Sequence, residues 1–353
     1  MKTFRLTSAA LALVLCAAGG FAATNDQFDV FGAYLDALRL QAKIPGLSAV
    51  IVRDGAVAWE RGFGYADVDR QVQATPDTPY QVASLTASIG ATVLLQCVEE
   101  GRLSLTELIS RYTPAIPEAG ATVGHVLSHM SQGTPGSGFL YDGQRFAELM
   151  RVIEACANQP FATALARRIL DRLGMSDSVP GQDLARADSE SASQFDVSER
   201  DRYQRVLARI AKPYVLQSDG RLRLSDYPPS GINAHTGLVS TVRDLARFDS
   251  ALDQNVLLSP EARQLAWTPA LNTRGQVQPY GLGWFVQTTE GVPVIWHHGA
   301  LDQFSSLYLK LPRQRLTLLL LANSGELSAR FNLNAGNIID SPFARLFLRI
   351  FAS

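Results

Sequence analysis

Lysine is the scarce residue of this 353-residue chain: of its 32 basic side chains only Lys2, Lys43, Lys212 and Lys310 are lysines. Any chemistry that depends on a lysine amine therefore has few candidates. Excess charge is missing too, since 32 Lys+Arg against 33 Asp+Glu leave a formal net charge of −1. No basic run stands out, which excludes a nucleic-acid footprint, and no acidic block or Gly/Ser tract marks a disordered tail. Cysteine is limited to Cys16, Cys97 and Cys156, too few for a disulfide framework, although Cys97 and Cys156 could pair in an oxidising compartment. No glycine-rich phosphate loop or dinucleotide fingerprint follows a strand pattern, and there is no internal repeat. What is present is 46% apolar residues, enough for a large core.

The first 22 residues read as a secretory signal peptide. Lys2 and Arg5 are its basic start, Ala9 to Ala18 is an unbroken apolar stretch, and Gly20 and Ala22 are small residues before a cut ahead of Ala23. That stretch is shorter than the roughly 20 residues a membrane span needs, and Leu15 is the wrong context for a lipid anchor at Cys16. The expectation is a periplasmic or secreted protein with no membrane span after signal removal.

Apolar spacing predicts a helix from Phe28 to Lys43, stopped by Pro45-Gly46, then strands over Leu47–Arg53 and Ala56–Tyr65 joined by a hairpin at Asp54-Gly55. A helix is expected from Ser84 to Glu100 with Gly101 as its cap. Strand patterns return at Gly283–Gln287, Val292–Trp296, Ser305–Leu311 and Leu316–Ala322, and Ser341-Pro342 opens a final amphipathic helix that should dock on the sheet. Sheet material in about 28–82 and 270–353, with helices in about 83–269, predicts an α/β architecture interrupted by a helical region.

Ser84 lies where the strand-like Tyr80–Ala83 meets a helix, so its hydroxyl sits at the positive end of a helix dipole, a place that favours an attacking oxygen or an oxyanion. The order of residues around it carries more. Thr78-Pro-Tyr-Gln-Val-Ala-Ser84-Leu-Thr86 with Leu94–Leu105 resembles the nucleophile helix of the serine hydrolases that include class C β-lactamases, low-molecular-weight penicillin-binding proteins and related esterases. Val126-Leu-Ser-His-Met-Ser131, Gly237–Phe248, Tyr280-Gly-Leu-Gly-Trp284 and His297-His-Gly299 match further segments in the same order, over about residues 28–325.

This resemblance implies a β-lactamase/transpeptidase-like fold for residues 23–353, an antiparallel sheet flanked by helices with an inserted helical region, and acyl-enzyme chemistry without a cofactor. It assigns Ser84 as nucleophile. The lysine that normally follows in Ser-x-x-Lys is replaced by Ala87, and the register from Ser88 gives Ala91 instead. Tyr141-Asp-Gly143 stands for Tyr-x-Asn, keeping the tyrosine as proton relay and losing the amide at Gly143. His297-His-Gly299 stands for the segment that presents a donor to the substrate, with His297 and Gly299 at the substrate. Lys43, Lys212 and Lys310 lack the spacing to replace the lost amine, so one of them would have to arrive through space, or Tyr141 or His297 would serve as base. His125 and His129, at i and i+4, make a zinc-compatible face, but no Glu follows His125 and no third ligand is assigned, so no metal is expected. Two readings follow: an exported hydrolase acting on an ester, amide, β-lactam or peptidoglycan-derived substrate, or an inactive relative whose groove binds a cell-wall peptide or a protein.

Overall fold

The computed structural model describes residues 18–186, 189–228 and 231–352; most of the expected signal peptide lies outside them. Helix α1 (Ala18–Gln41) leads into the hairpin β1 (Gly46–Arg53) and β2 (Ala56–Asp67), followed by β3 (Val72–Gln73) and β4 (Tyr80–Gln81). Asp54 and Gly55 both take positive φ, 54° and 75°, as the two central residues of a primed hairpin turn require. A 3-10 turn, Ala83–Leu85, runs directly into α2 (Thr86–Glu99). That helix ends at Gly101, φ +68°, whose amide donates to Val98 O while Arg102 N donates to Cys97 O, the paired bonds of a Schellman cap.

The inserted region contributes α3 (Val123–Leu127), α4 (Gly143–Ala147), α5 (Leu149–Ala157), α6 (Phe161–Leu165), α7 (Val197–Leu207), the small pair β5 (Tyr214–Leu216) and β6 (Leu222–Leu224), β7 (Val239–Ser240), α8 (Val242–Asp253) and α9 (Pro260–Ala266). The chain then returns to the sheet as β8 (Phe285–Thr289), β9 (Val292–Ala300), β10 (Ser305–Leu311) and β11 (Leu316–Ala322), and closes with α10 (Pro342–Phe351), capped by Ser341.

These strands form one antiparallel sheet in the order β3-β2-β1-β11-β10-β9-β8, so the two ends of the chain meet at the β1–β11 pair. Strands β1, β10 and β11 are buried on both faces, which is why they read as continuous apolar runs. One face carries Leu47, Ile51, Leu309 and Leu318 against Phe31 of α1 and Phe347 of α10, whose rings meet edge-on at 5.9 Å. The terminal helix thus docks on the sheet, as its pattern predicts. The other face carries Val50, Val52, Tyr308 and Leu319 against α2 and the Leu245, Phe248 and Leu252 side of α8. Ser84 lies on this second side.

Cys97 of α2 and Cys156 of α5 are joined as a disulfide that closes a loop of 59 residues. On the chain-entropy account such a closure stabilises by about 4 kcal/mol. Cys156→Ser is therefore expected to lower the urea midpoint substantially, and coincident unfolding curves for the two proteins would refute that role.

Candidate active site

Three chain segments are stitched together at Ser84. Val82 N donates to Leu238 O at 3.0 Å, continuing the β4–β7 ladder, and Ser306 Oγ of β10 donates to Val82 O at 2.7 Å. Ala83 adopts φ +51°, a conformation unusual for a residue with a Cβ, and its turn aims the half-buried Ser84 along the start of α2. Gly299 of β9 lies against this turn. A Cβ there would come within 2.2 Å of Val82 O, 2.5 Å of Ser306 Oγ and 2.8 Å of Ala83 Cβ, so the glycine is what lets the strand approach. Its role is close packing behind Ser84.

The Ser84 hydroxyl lies beside the phenol of Tyr141 and draws its pKa down. Burial outweighs this and holds the phenol well above its ordinary pKa. Tyr141 is held by its surroundings: its ring stacks on Phe285 at 5.6 Å and lies 4.3 Å from His129. His129, at φ +54°, pins the segment by its backbone and ring, accepting from Leu140 N through its carbonyl (2.9 Å) and from Asp142 N at Nδ1 (3.1 Å). Asp142 then caps α4, accepting from Gln144 N and Arg145 N.

The Tyr141 phenol has a second partner that the sequence reading passed over, His235, with Nε2 at 3.1 Å. An Asn233 turn positions it: Asn233 Oδ1 accepts from His235 N (2.8 Å) and Thr236 N (3.0 Å), and two residues later Leu238 is tied to Val82. The imidazole occupies the space a side chain at 143 would need, because a Cβ on Gly143 would lie 2.3 Å from its Cε1 and 2.7 Å from each ring nitrogen. Gly143 thus makes room for a histidine, where the motif led us to expect a substrate contact. Burial lowers the His235 pKa to about 4, with the Asp142 charge opposing, so the ring is neutral near pH 7.

His297, expected at the substrate, lies beside Tyr141 with its ring centroid 6.3 Å from the phenol ring. It is fully buried, its Nδ1 donates to His298 O at 2.8 Å and its Nε2 meets the Tyr280 hydroxyl at 2.9 Å. Both nitrogens are used inside the protein, and burial holds the ring neutral by driving its pKa well below the ordinary value. Tyr280 covers it, a partner that a strand pattern cannot reveal.

Among the described residues, each lysine is engaged elsewhere than at Ser84. Lys310 Nζ binds Asp249 Oδ1 (2.9 Å), Asp253 Oδ2 (2.8 Å) and Thr317 Oγ1 (3.0 Å), four residues along β10 from Ser306, roughly 13 Å at strand rise. Lys43 binds Gly220 O at 2.9 Å, and Lys212 lies over the Tyr227 ring. Ala87, one turn on from Ser84, is fully buried in the core. His125 and His129 each accept a backbone N–H at Nδ1, and among the described residues no three His, Cys, Asp or Glu side chains gather as metal ligands.

The family model described as Beta-lactamase matches residues 28–341. The chain belongs to the beta-lactamase family. It is 24% identical to Protein flp of Staphylococcus aureus (strain MW2), over 85% of this chain and 64% of that protein. It is 23% identical to a penicillin-binding protein of Bacillus subtilis (strain 168), over 77% and 66%. The chain therefore spans just under two thirds of the length of these curated relatives. Among solved structures, the octameric penicillin-binding protein homologue from Pyrococcus abyssi superposes with a TM-score of 0.74 at 22% identity, covering 92% of this chain and 77% of that one. The D-amino acid amidase from Ochrobactrum anthropi SV3, complexed with L-phenylalanine amide, gives 0.71 at 23% identity, covering 93% and 99%. The shared architecture is the β-lactamase/transpeptidase-like fold, an antiparallel sheet flanked by helices. No helix of the described residues is long and apolar enough to cross a membrane.

Proposed function

We propose that this beta-lactamase family member is an exported serine hydrolase that forms an acyl-enzyme on Ser84 from an ester, amide, peptide or β-lactam carbonyl. The observation that carries the reading is the Ser84 hydroxyl, at the start of a buried helix, lying beside the phenol of Tyr141. A helix N-terminus favours the negative charge that develops on an attacked carbonyl, and a positioned phenol gives the serine proton somewhere to go. Ala87 stands in this reading where relatives carry the base lysine, so the proton leaves by a different route. Small peptidoglycan-derived substrates fit the reading because the relatives include penicillin-binding proteins and an amidase. Export is supported by the composition of residues 1–22 and by the Cys97–Cys156 disulfide, which persists in oxidising compartments.

The test is covalent labelling of the full chain with a fluorescent penicillin and with a p-nitrophenyl ester, read by intact mass and peptide mapping. An adduct on Ser84 that disappears in Ser84→Ala is the expected result. A chain inert to both probes would leave the alternative reading, a groove that binds a cell-wall peptide or protein without turnover.

A further inference from the structure

Four of the five histidines in the chain lie around Tyr141, yet only one offers it a ring nitrogen. His129 uses Nδ1 for Asp142 N, His297 uses both nitrogens for Tyr280 and its neighbour's carbonyl, and His298 turns Nε2 to Asn334 Oδ1. His235 alone bonds the phenol, and it fills volume that Gly143 leaves empty. The two departures from the expected motif, at residues 87 and 143, are thus matched by one imidazole beside the same tyrosine.

We propose that His235 takes the general-base part in this site, receiving the Ser84 proton by way of the Tyr141 phenol. The inference rests on the serine-hydrolase reading above. Ser84 Oγ bonds to the carbonyl carbon of the substrate as the carbonyl π pair moves onto its oxygen. The serine proton passes to the Tyr141 oxygen while the Tyr141 proton passes to His235 Nε2. When the intermediate collapses, the bond from carbon to leaving group breaks and the proton returns through Tyr141 to the leaving group. Water then attacks the acyl carbon, giving up its proton along the same path, and Ser84 recovers it on release of the acid. Asp142, next to Tyr141, supplies the negative charge that favours the transient imidazolium.

The groups facing His235 are Tyr141 and Asp142 ahead of α4, His129 after α3, and His297 and His298 on β9. Neutral His235 accepts a proton and its cation does not, so acylation should fall as pH drops through about 4. Because the ring is a weaker base than an ordinary histidine, its contribution belongs at the lower end of general-base effects, about 10²-fold.

The experiment is the single-turnover rate of Ser84 acylation by a p-nitrophenyl ester between pH 3.5 and 8 (about the range that brackets the His235 titration), with circular dichroism to confirm folding at each pH. His235→Gln keeps a hydrogen-bonding side chain without the base, and is expected to lose about 10²-fold and the acid limb near pH 4. His235→Ala should be restored in part by added imidazole, and the His235→Ala/Tyr141→Phe double variant should not. Gly143→Ala, whose Cβ would displace the ring, should lose activity by a comparable factor. An adduct forming at the wild-type rate in His235→Gln would overturn the assignment while leaving the acyl-enzyme reading intact. An adduct seen only in Ala87→Lys would also overturn it, by showing a site without a working base. No adduct on wild-type Ser84 would overturn both.

Discussion

Tyr141→Phe is expected to slow acylation of Ser84 by about 10²–10⁴-fold while leaving the fold unchanged. The phenyl ring keeps the stack on Phe285 and the contact with His129, so packing survives. What is lost is the oxygen that bonds His235 Nε2 and lies beside the Ser84 hydroxyl. Without it the proposed route from Ser84 to His235 is broken, and a serine hydroxyl is a poor nucleophile on its own. Single-turnover kinetics with an activated ester, beside thermal unfolding of both proteins, is the measurement. A rate within threefold of wild type would remove Tyr141 from the chemistry.

Gly299→Ala should be nearly as damaging through geometry. The added Cβ meets backbone at Val82 O and the Cβ of Ala83, atoms that belong to the turn carrying Ser84. Overpacking of this kind typically costs 1–3 kcal/mol, and more where the neighbour is backbone that cannot rotate away. The expected outcome is a lower unfolding midpoint together with an acylation rate reduced by at least about 10²-fold, since small displacements at a nucleophile are amplified in rate. Native stability with native labelling would show that the β9 approach is not needed.

The sheet was legible because its central strands are apolar runs bounded by turn residues. Leu47–Val52, Ser305–Leu311 and Leu316–Ala322 read as strands without help, and Asp54-Gly55 specified its own hairpin. Glu290-Gly291, with φ 50° and 80°, makes a similar turn between β8 and β9 that its composition signals less strongly. At the site, motif order singled out Ser84 and Tyr141, and the two lie side by side. His235 escaped because nothing local marks it: it follows a polar excursion, and its importance comes from the Val82–Leu238 bond that draws it to Ser84 from far along the chain. The partner of His297 was hidden for a related reason. Register gives the face on which a strand residue lies, but the Tyr280 hydroxyl that seals it belongs to another segment.

Val179 and Val239 exchange both backbone bonds, at 2.9 and 3.1 Å, beside the strand that leads to Ser84. The chain between them is fastened elsewhere as well, through Ala211 N to Pro79 O, Lys212 N to Ala66 O and Tyr214 N to Asn323 O. The insert is thus a brace tied to β2, to the approach to β4 and to the end of β11, and its last tie, between Leu238 and Val82, holds the turn that carries Ser84.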